Sequence, residues 1–382
     1  MAFNQRPWIT DDLAMFQDGI RKFIERELVP HEDRWWKQQH VDREIWRKAG
    51  EMGMLCASIP EEYGGGGGNF AHEAVITLEQ SRAGVSSLGT NVHSGIVAHY
   101  ILRYGTEAQK QNWLPKMASG EIVAAIAMSE PGAGSDLKSI KARAVRDGDQ
   151  YVLNGSKTFI TNGFLADLIL VVCKTDPDKG AKGVSIVVVE TENLPGFRRG
   201  RILEKIGQKG QDTAELFFDD VRVPCTNLLG TEEGKGFYQL MQQLPQERMI
   251  IALGALSAME RAVQLTTDYV RERKVFGATL LDMQNTRFKL AECKTKAVIA
   301  GAFVDDCMAK VLRDELDPET AAMAKWWGTQ TSCEIIDECL QLHGGYGYMM
   351  EYPIARMYVN ARVGKIYGGS NEIMKEIIAR TL

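Results

Sequence analysis

Glu247 and Arg248 stand side by side at the head of an apolar stretch, Met249-Ile250-Ile251-Ala252-Leu253. An acid and a cation on a helix usually share water, and that is the plain reading of such a pair. The stretch that follows argues for burial instead. A carboxylate placed there would have its pKa raised by desolvation, opposed by the arginine and by any helix N-terminus that Pro245 creates. Other reactive residue types form no known constellation. Gly132-x-Gly134 opens like a dinucleotide fingerprint, but Leu137 stands where the third glycine belongs, and the segment begins a β unit rather than a βαβ unit. Gly230-x-x-x-Gly234-Lys235-Gly236 is too short for a phosphate loop and lacks its Ser/Thr. The histidines (His31, His40, His72, His93, His99, His343) show no H-x-x-x-H pair and no cysteine at zinc spacing, so each is expected on the surface or in packing, with no metal site. No G-x-S-x-G elbow is present.

Those residues sit in three stretches of different period. From about Thr10 to Ala118 the pattern is helical: Leu13, Phe16, Ile20 and Phe23 keep a 3–4 spacing, followed by a break at Pro30. Gly64–Gly68, five glycines in a row, are expected to be a flexible connection. From about Glu121 to Leu229 the pattern turns to strands. Asp147-Gly148 and Asn154-Gly155 are hairpin-type dipeptides, Leu168–Cys173 and Val184–Val189 are strands covered on both faces, and Glu215–Pro224 is a further strand ended by proline. From about Gly234 the chain is helical again. Asp317-Pro318-Glu319 starts one helix, which Gly344-Gly345 ends. The expected architecture is α+β and multidomain: a helical unit over 1–120, a β-barrel-like unit over 121–232 and a helical bundle over 233–382.

The net charge of -5, with both signs interspersed, leaves no basic track for nucleic acid. No apolar run looks long enough to span a bilayer, and the N-terminus lacks a signal-peptide core. Seven scattered cysteines without a C-x-x-C spacing suit reduced thiols. A soluble, cytoplasmic protein is expected, or one of the mitochondrial matrix if the chain is a mature eukaryotic form.

Four ordered blocks carry a resemblance. They are Ala127-Met128-Ser129-Glu130-Pro131-Gly132-Ala133-Gly134-Ser135-Asp136; Asn154-Gly155-x-Lys157-x-Phe159-Ile160-Thr161-Asn162-Gly163; Arg273-x-Val275-Phe276-Gly277 with Gln284; and Gln341-Leu342-His343-Gly344-Gly345-Tyr346-Gly347-Tyr348. Together they resemble the acyl-CoA dehydrogenases over essentially the whole chain. The resemblance implies a helical domain, a β domain and a four-helix bundle, with FAD as cofactor and acyl-CoA as substrate. It also implies an electron-transfer flavoprotein as acceptor and a homotetramer built as a dimer of dimers.

By the same resemblance Met128, Ser129, Phe159 and Thr161 serve the flavin ring. Ser135 serves the pyrophosphate or the substrate's pantetheine. Arg273, Phe276, Gln284, Gln341 and Gly345 reach a neighbouring subunit's FAD. Ser370 and Glu372, with Asn371 between them, sit at a helix start suited to phosphate or ribose. Many members keep the catalytic base in a Tyr-Glu-Gly-Thr loop, where this chain has Tyr367-Gly368-Gly369-Ser370. A smaller branch, with long-chain and isovaleryl-type enzymes, places it on an internal helix, and Leu244-Pro245-Gln246-Glu247-Arg248 is similar to the long-chain pattern. Glu247 is then the expected base, with Arg248, Tyr238, Gly368 and Gly369 around the substrate. Two other functions stay open: a flavin oxidase or monooxygenase on the same fold, and a silent acyl-CoA- or flavin-binding protein.

Overall fold

The computed structural model describes residues 6–382, so the first five residues of the N-terminal reading lie outside the described chain. The amino-terminal helices form as the spacing predicts. In α1 (Asp11–Phe23) Leu13, Ile20 and Phe23 are buried, and Thr10 caps the helix by accepting the Leu13 amide. A π-helical turn, Ile24–Leu28, and a 3₁₀ turn carrying Pro30 lead into α2 (Glu32–Gln38), followed by α3 (Arg43–Glu51) and α4 (Phe70–Ala83). Next, α5 (Thr90–Val92), a π-helical turn His93–Ala98 and α6 (His99–Tyr104) make one continuous helix, and α7 (Glu107–Ala118) closes the unit.

The glycine run is not the flexible connection expected. Gly66, Gly67 and Gly68 donate backbone hydrogen bonds to Cys56, Ile59 and Ala57. A Cβ at Gly65 or Gly66 would collide with the backbone of Ile59 or Ala57. The glycines are there because two backbones touch.

The middle of the chain is a seven-stranded sheet: β1 (Ala124–Ala127), β2 (Arg143–Asp147), β3 (Gln150–Thr161), β4 (Leu168–Lys174), β5 (Val184–Glu190), β6 (Phe197–Ile202) and β7 (Thr213–Pro224). Its order is β1-β4-β2-β3-β7-β6, with β5 on the other side of β4. β1 and β4 run parallel; β3–β7, β4–β5 and β6–β7 are antiparallel. β4 and β5, the continuous apolar runs, are buried along nearly their whole length.

The carboxy-terminal part is built on α8 (Gly236–Glu272), which packs against α4, α9 (Gln284–Leu312) and α10 (Pro318–Leu342). A short hairpin, β8 (Lys274–Val275) and β9 (Ala278–Thr279), separates α8 from α9. α11 (Pro353–Ala361) and α12 (Asn371–Ala379) complete the unit, with α12 against α10. Asp317 caps α10 as expected, accepting the Thr320 amide at 2.7 Å.

Two expectations fail on α8. The helix runs unbroken through Pro245, so no new N-terminus forms beside Glu247. It is also long and apolar enough, by length and composition, to cross a bilayer, contrary to the reading of the sequence; 61 % of that apolar window is buried inside the protein. Its apolarity is that of a central helix contacted on several sides.

Candidate active site

The first block is a loop fastened from beneath. After β1 ends, Glu130 and Ala133 exchange backbone hydrogen bonds of 2.8 and 3.1 Å. The Glu130 carboxylate points inward and accepts from the amides of Lys141 and Ala142 and from Lys157 Nζ at 2.8 Å. The Lys157 ammonium, wholly buried, also donates to the Met128 carbonyl at 3.0 Å. Burial alone would lift the Glu130 pKa, but the Lys157 hydrogen bond and charge and the two amides outweigh it and hold the carboxyl below its usual range. Burial in turn lowers the Lys157 pKa, opposed by the Glu130 hydrogen bond and charge. The pair holds the Met128 carbonyl in place; Met128 and Ser129 are both half-buried, while Ser135 stays exposed.

The second block is bent toward that loop. The β3–β7 register slips between Lys157 and Ile160, and Thr158 donates its amide to the Ser129 carbonyl at 3.0 Å. At the bulge Phe159 takes φ +60 and is 70 % exposed. A bulky residue at positive φ with its ring unburied is strained backbone of the kind that clusters at functional sites. Thr161 follows in the strand, paired with Thr213.

The third and fourth blocks meet at the end of α8. Arg273, Gln341 and Gly345 line an open pocket of about 590 Å³ together with Tyr269, His343 and Tyr346. The Arg273 guanidinium lies over the Tyr346 ring at 5.5 Å. Phe276 sits at φ +51 in the hairpin with its side chain wholly exposed, and Gln284 opens α9, also exposed.

Glu247 is buried, 5 % exposed, in mid-α8. Its Oε1 accepts from the Tyr100 hydroxyl at 2.9 Å. Among the described residues no donor reaches Oε2. Burial pushes the carboxyl up to about 7, opposed by the Tyr100 hydrogen bond and the Arg248 charge. Arg248 is buried beside it, its Nε without a partner. Tyr238, on the same helix, is exposed.

Gly368 and Gly369 take φ +63 and +90, and a Cβ on Gly368 would run into Ile251 Cδ1 of α8. The loop between them and α12 is held by the fully buried Lys325, which donates to the Gly369 carbonyl at 2.7 Å and to Asn371 Oδ1 at 3.0 Å. Ser370 caps α12 through the Ile373 amide, and Glu372 is exposed in its first turn.

Three matches to family descriptions tile the chain: "Acyl-CoA dehydrogenase, N-terminal domain" over residues 10–121, the middle domain over 125–221 and the C-terminal domain over 234–382. The chain belongs to the acyl-CoA dehydrogenase family. It is 49 % identical over 370 residues to the mouse mitochondrial long-chain specific acyl-CoA dehydrogenase, covering 96 % of this chain and 86 % of that one. The crystal structure of an acyl-CoA dehydrogenase from Geobacillus kaustophilus superposes with a TM-score of 0.96 at 48 % identity, covering 99 % of both chains. A glutaryl-CoA dehydrogenase from Mycobacterium smegmatis, solved in complex with FADH2, superposes with a TM-score of 0.90 at 28 % identity, covering 97 % of this chain and 94 % of that chain.

As an acyl-CoA dehydrogenase the chain is an oxidoreductase of a flavoprotein family. Its own surfaces fit such a cofactor: an exposed Phe159 ring stands beside the fixed Met128–Ser129 backbone, and Cβ atoms at Gly132, Gly134, Gly344 and Gly345 would meet nothing within 4 Å. Four supporting residues escaped the sequence. Glu130 and Lys157 lie inside two of the blocks, and their pairing could have been found by asking how a buried lysine in a strand is neutralised. Tyr100 and Lys325 carry no local signal, since their partners are remote in sequence.

Proposed function

We propose that this chain is an FAD-dependent acyl-CoA dehydrogenase acting on long-chain or branched-chain thioesters, organised as units 1–120, 121–232 and 233–382, with Glu247 as its base. The observation that carries the reading is a carboxylate buried in mid-helix, raised to about 7, with one oxygen held and the other without a donor. A base is most useful when its pKa lies near the working pH, where it is both available and basic. Glu247 Oε2 takes the α proton of the thioester and leaves the enoyl-CoA product. Bound FAD would supply the acceptor for the β hydride.

The fixed backbone of Met128 and Ser129, with Thr161, hydrogen-bonds the ring edge, and Phe159 walls one face. Ser135 faces the pyrophosphate or the pantetheine, and Ser370 and Glu372 face phosphate or ribose. Ser370 would donate its O–H there, since its oxygen caps α12 only as an acceptor. Tyr238, Arg248, Gly368 and Gly369 surround the acyl thioester. Arg273, Phe276, Gln284, Gln341 and Gly345 present unfilled, exposed surface, which supports a second subunit over the adenosine half of the cofactor and a dimer of dimers. The name of the mouse relative supports long-chain substrates. Electrons then pass to an electron-transfer flavoprotein, and seven free cysteines support a reducing, cytoplasmic setting.

Anaerobic titration of the purified protein with a panel of linear and methyl-branched acyl-CoAs tests this. The protein should be yellow, carry about one FAD per subunit, and be bleached best by the long-chain thioesters. A colourless protein that FAD does not reconstitute, or a flavin that no acyl-CoA bleaches, refutes it.

A further inference from the structure

The helix running from Thr90 to Tyr104 is fastened to α8 along one face. Gln246 Nε2 donates to the Gly95 carbonyl at 3.1 Å, Tyr100 to Glu247 Oε1 at 2.9 Å, and the Tyr104 hydroxyl to the Gln239 carbonyl at 3.2 Å. The π-helical turn His93–Ala98 lies just before the two tyrosines. One extra residue in such a turn rotates everything after it by about 100°, which aims Tyr100 and Tyr104 at α8. Tyr100 is wholly buried, and its hydroxyl has one acceptor, the Glu247 carboxylate.

We infer that Tyr100 is a positioning residue for the base: its hydroxyl pins Glu247 Oε1, so that Oε2 alone is presented to the substrate, and favours the ionised carboxylate. The inference rests on the dehydrogenase reading of Glu247. A phenol is suited to the task. It reaches across an interhelical gap without bringing a charge, and it donates a single proton, so it orders the carboxylate without neutralising it. A lysine or arginine in its place would add a buried charge to a site that already holds Arg248.

The surroundings make the effect readable. The groups facing Glu247 are Tyr100 and, more distantly, Tyr104 from the amino-terminal helix, and Arg248 from α8 itself; the Lys325 charge of α10 acts on Arg248. Of these, the Tyr100 hydrogen bond and the Arg248 charge oppose burial. Removing the hydroxyl leaves Arg248 alone against desolvation, so the carboxyl must ionise at higher pH.

The test uses the FAD-loaded oligomer of Tyr100→Phe and stopped-flow flavin reduction by the best acyl-CoA of the panel, from about pH 5 to about pH 9. The acid limb should move up by about one pH unit, the order expected for losing one hydrogen bond to an ionised group. The rate should then fall about tenfold below the limb and return toward wild type above it. A uniform loss at every pH with the limb unmoved, or no loss at all, overturns the inference. If Tyr100→Phe does not fold, 3-fluorotyrosine at position 100 decides: it keeps the shape and is a stronger donor, so the limb should move down, and a limb that stays or rises overturns the inference. Glu247→Gln separates the two claims. If the wild-type limb persists in Glu247→Gln, Glu247 is not the titrating base and the inference falls with that reading; if it vanishes there but does not move in the Tyr100 variants, only the inference falls.

Discussion

Replacing Glu247 by glutamine exchanges a titrating group for a neutral one of the same shape, and the burial of that group sets the consequence for stability as well as for rate. In the folded chain the carboxyl ionises near 7 instead of 4.5, because burial penalises its charge more than Tyr100 and Arg248 favour it. In the unfolded chain it ionises at its ordinary value. Below that value both states hold the proton. Between about 4.5 and about 7 the unfolded state gives it up first, so stability falls as pH rises, and above about 7 the whole loss is present. The gap corresponds to roughly 3 kcal/mol per subunit at alkaline pH. Glu247→Gln removes that loss. For a chain of this length the gain is about 4 °C in Tm at pH near 8 and close to nothing at pH near 5. Any fixed cost of burying the amide is present at both pH values and cancels in the comparison. Calorimetry at saturating FAD reads the difference, and stopped-flow on the same samples should show flavin reduction slowed by roughly 10²–10⁴-fold. A Tm difference that is the same at both pH values, or a variant less stable than wild type only at the higher one, refutes the reasoning.

Lys157→Met should leave the buried Glu130 carboxylate without its counter-charge, held only by the Lys141 and Ala142 amides, at a cost of up to about 3–5 kcal/mol, and loosen the Met128–Ser129 backbone; unchanged Tm and unchanged FAD content would show that the pair fastens nothing. Moving the base to the Gly368 loop should require room as well as a carboxylate. Glu247→Gln with Gly368→Glu should stay nearly inactive because the new Cβ meets Ile251, whereas adding Ile251→Ala should restore measurable turnover, and equal turnover with and without the Ile251 change would dismiss that steric account.

Much of the architecture was legible because each part has its own local signal. Periods near 3.6 and 2, the Asp317 cap and the apolar runs of β4 and β5 depend on neighbours within a turn or a strand. The blocks around Met128, Phe159, Arg273 and Gln341 were legible as resemblance, and their blunt chemistry could be described in advance. What gives them shape was hidden. The left-handed backbone at Phe159 comes from a register slip between β3 and β7, which no single strand encodes. The glycines at 64–68 read as looseness, because sequence shows the absent side chains and not the backbone that fills their place. Pro245 left room for a helix N-terminus beside Glu247, because its missing N–H can break a helix; here the packing of α8 on several neighbours outweighs that local cost.

The bond between Tyr100 and Glu247 closes a span of 147 residues. During synthesis the amino-terminal helices and the sheet leave the ribosome first, and domains fold broadly in that order. A nascent chain that has finished the sheet already owns the Met128 loop and the Phe159 wall, yet it has no carboxylate to set against them. Only when α8 docks onto the helix beginning at Thr90 does the Glu247 carboxylate meet the Tyr100 hydroxyl. The orientation of the Glu247 carboxylate is therefore a property of the docked pair of helices rather than of α8 alone, and on the dehydrogenase reading proposed above a chain whose carboxy-terminal helices have not yet docked would lack an oriented base.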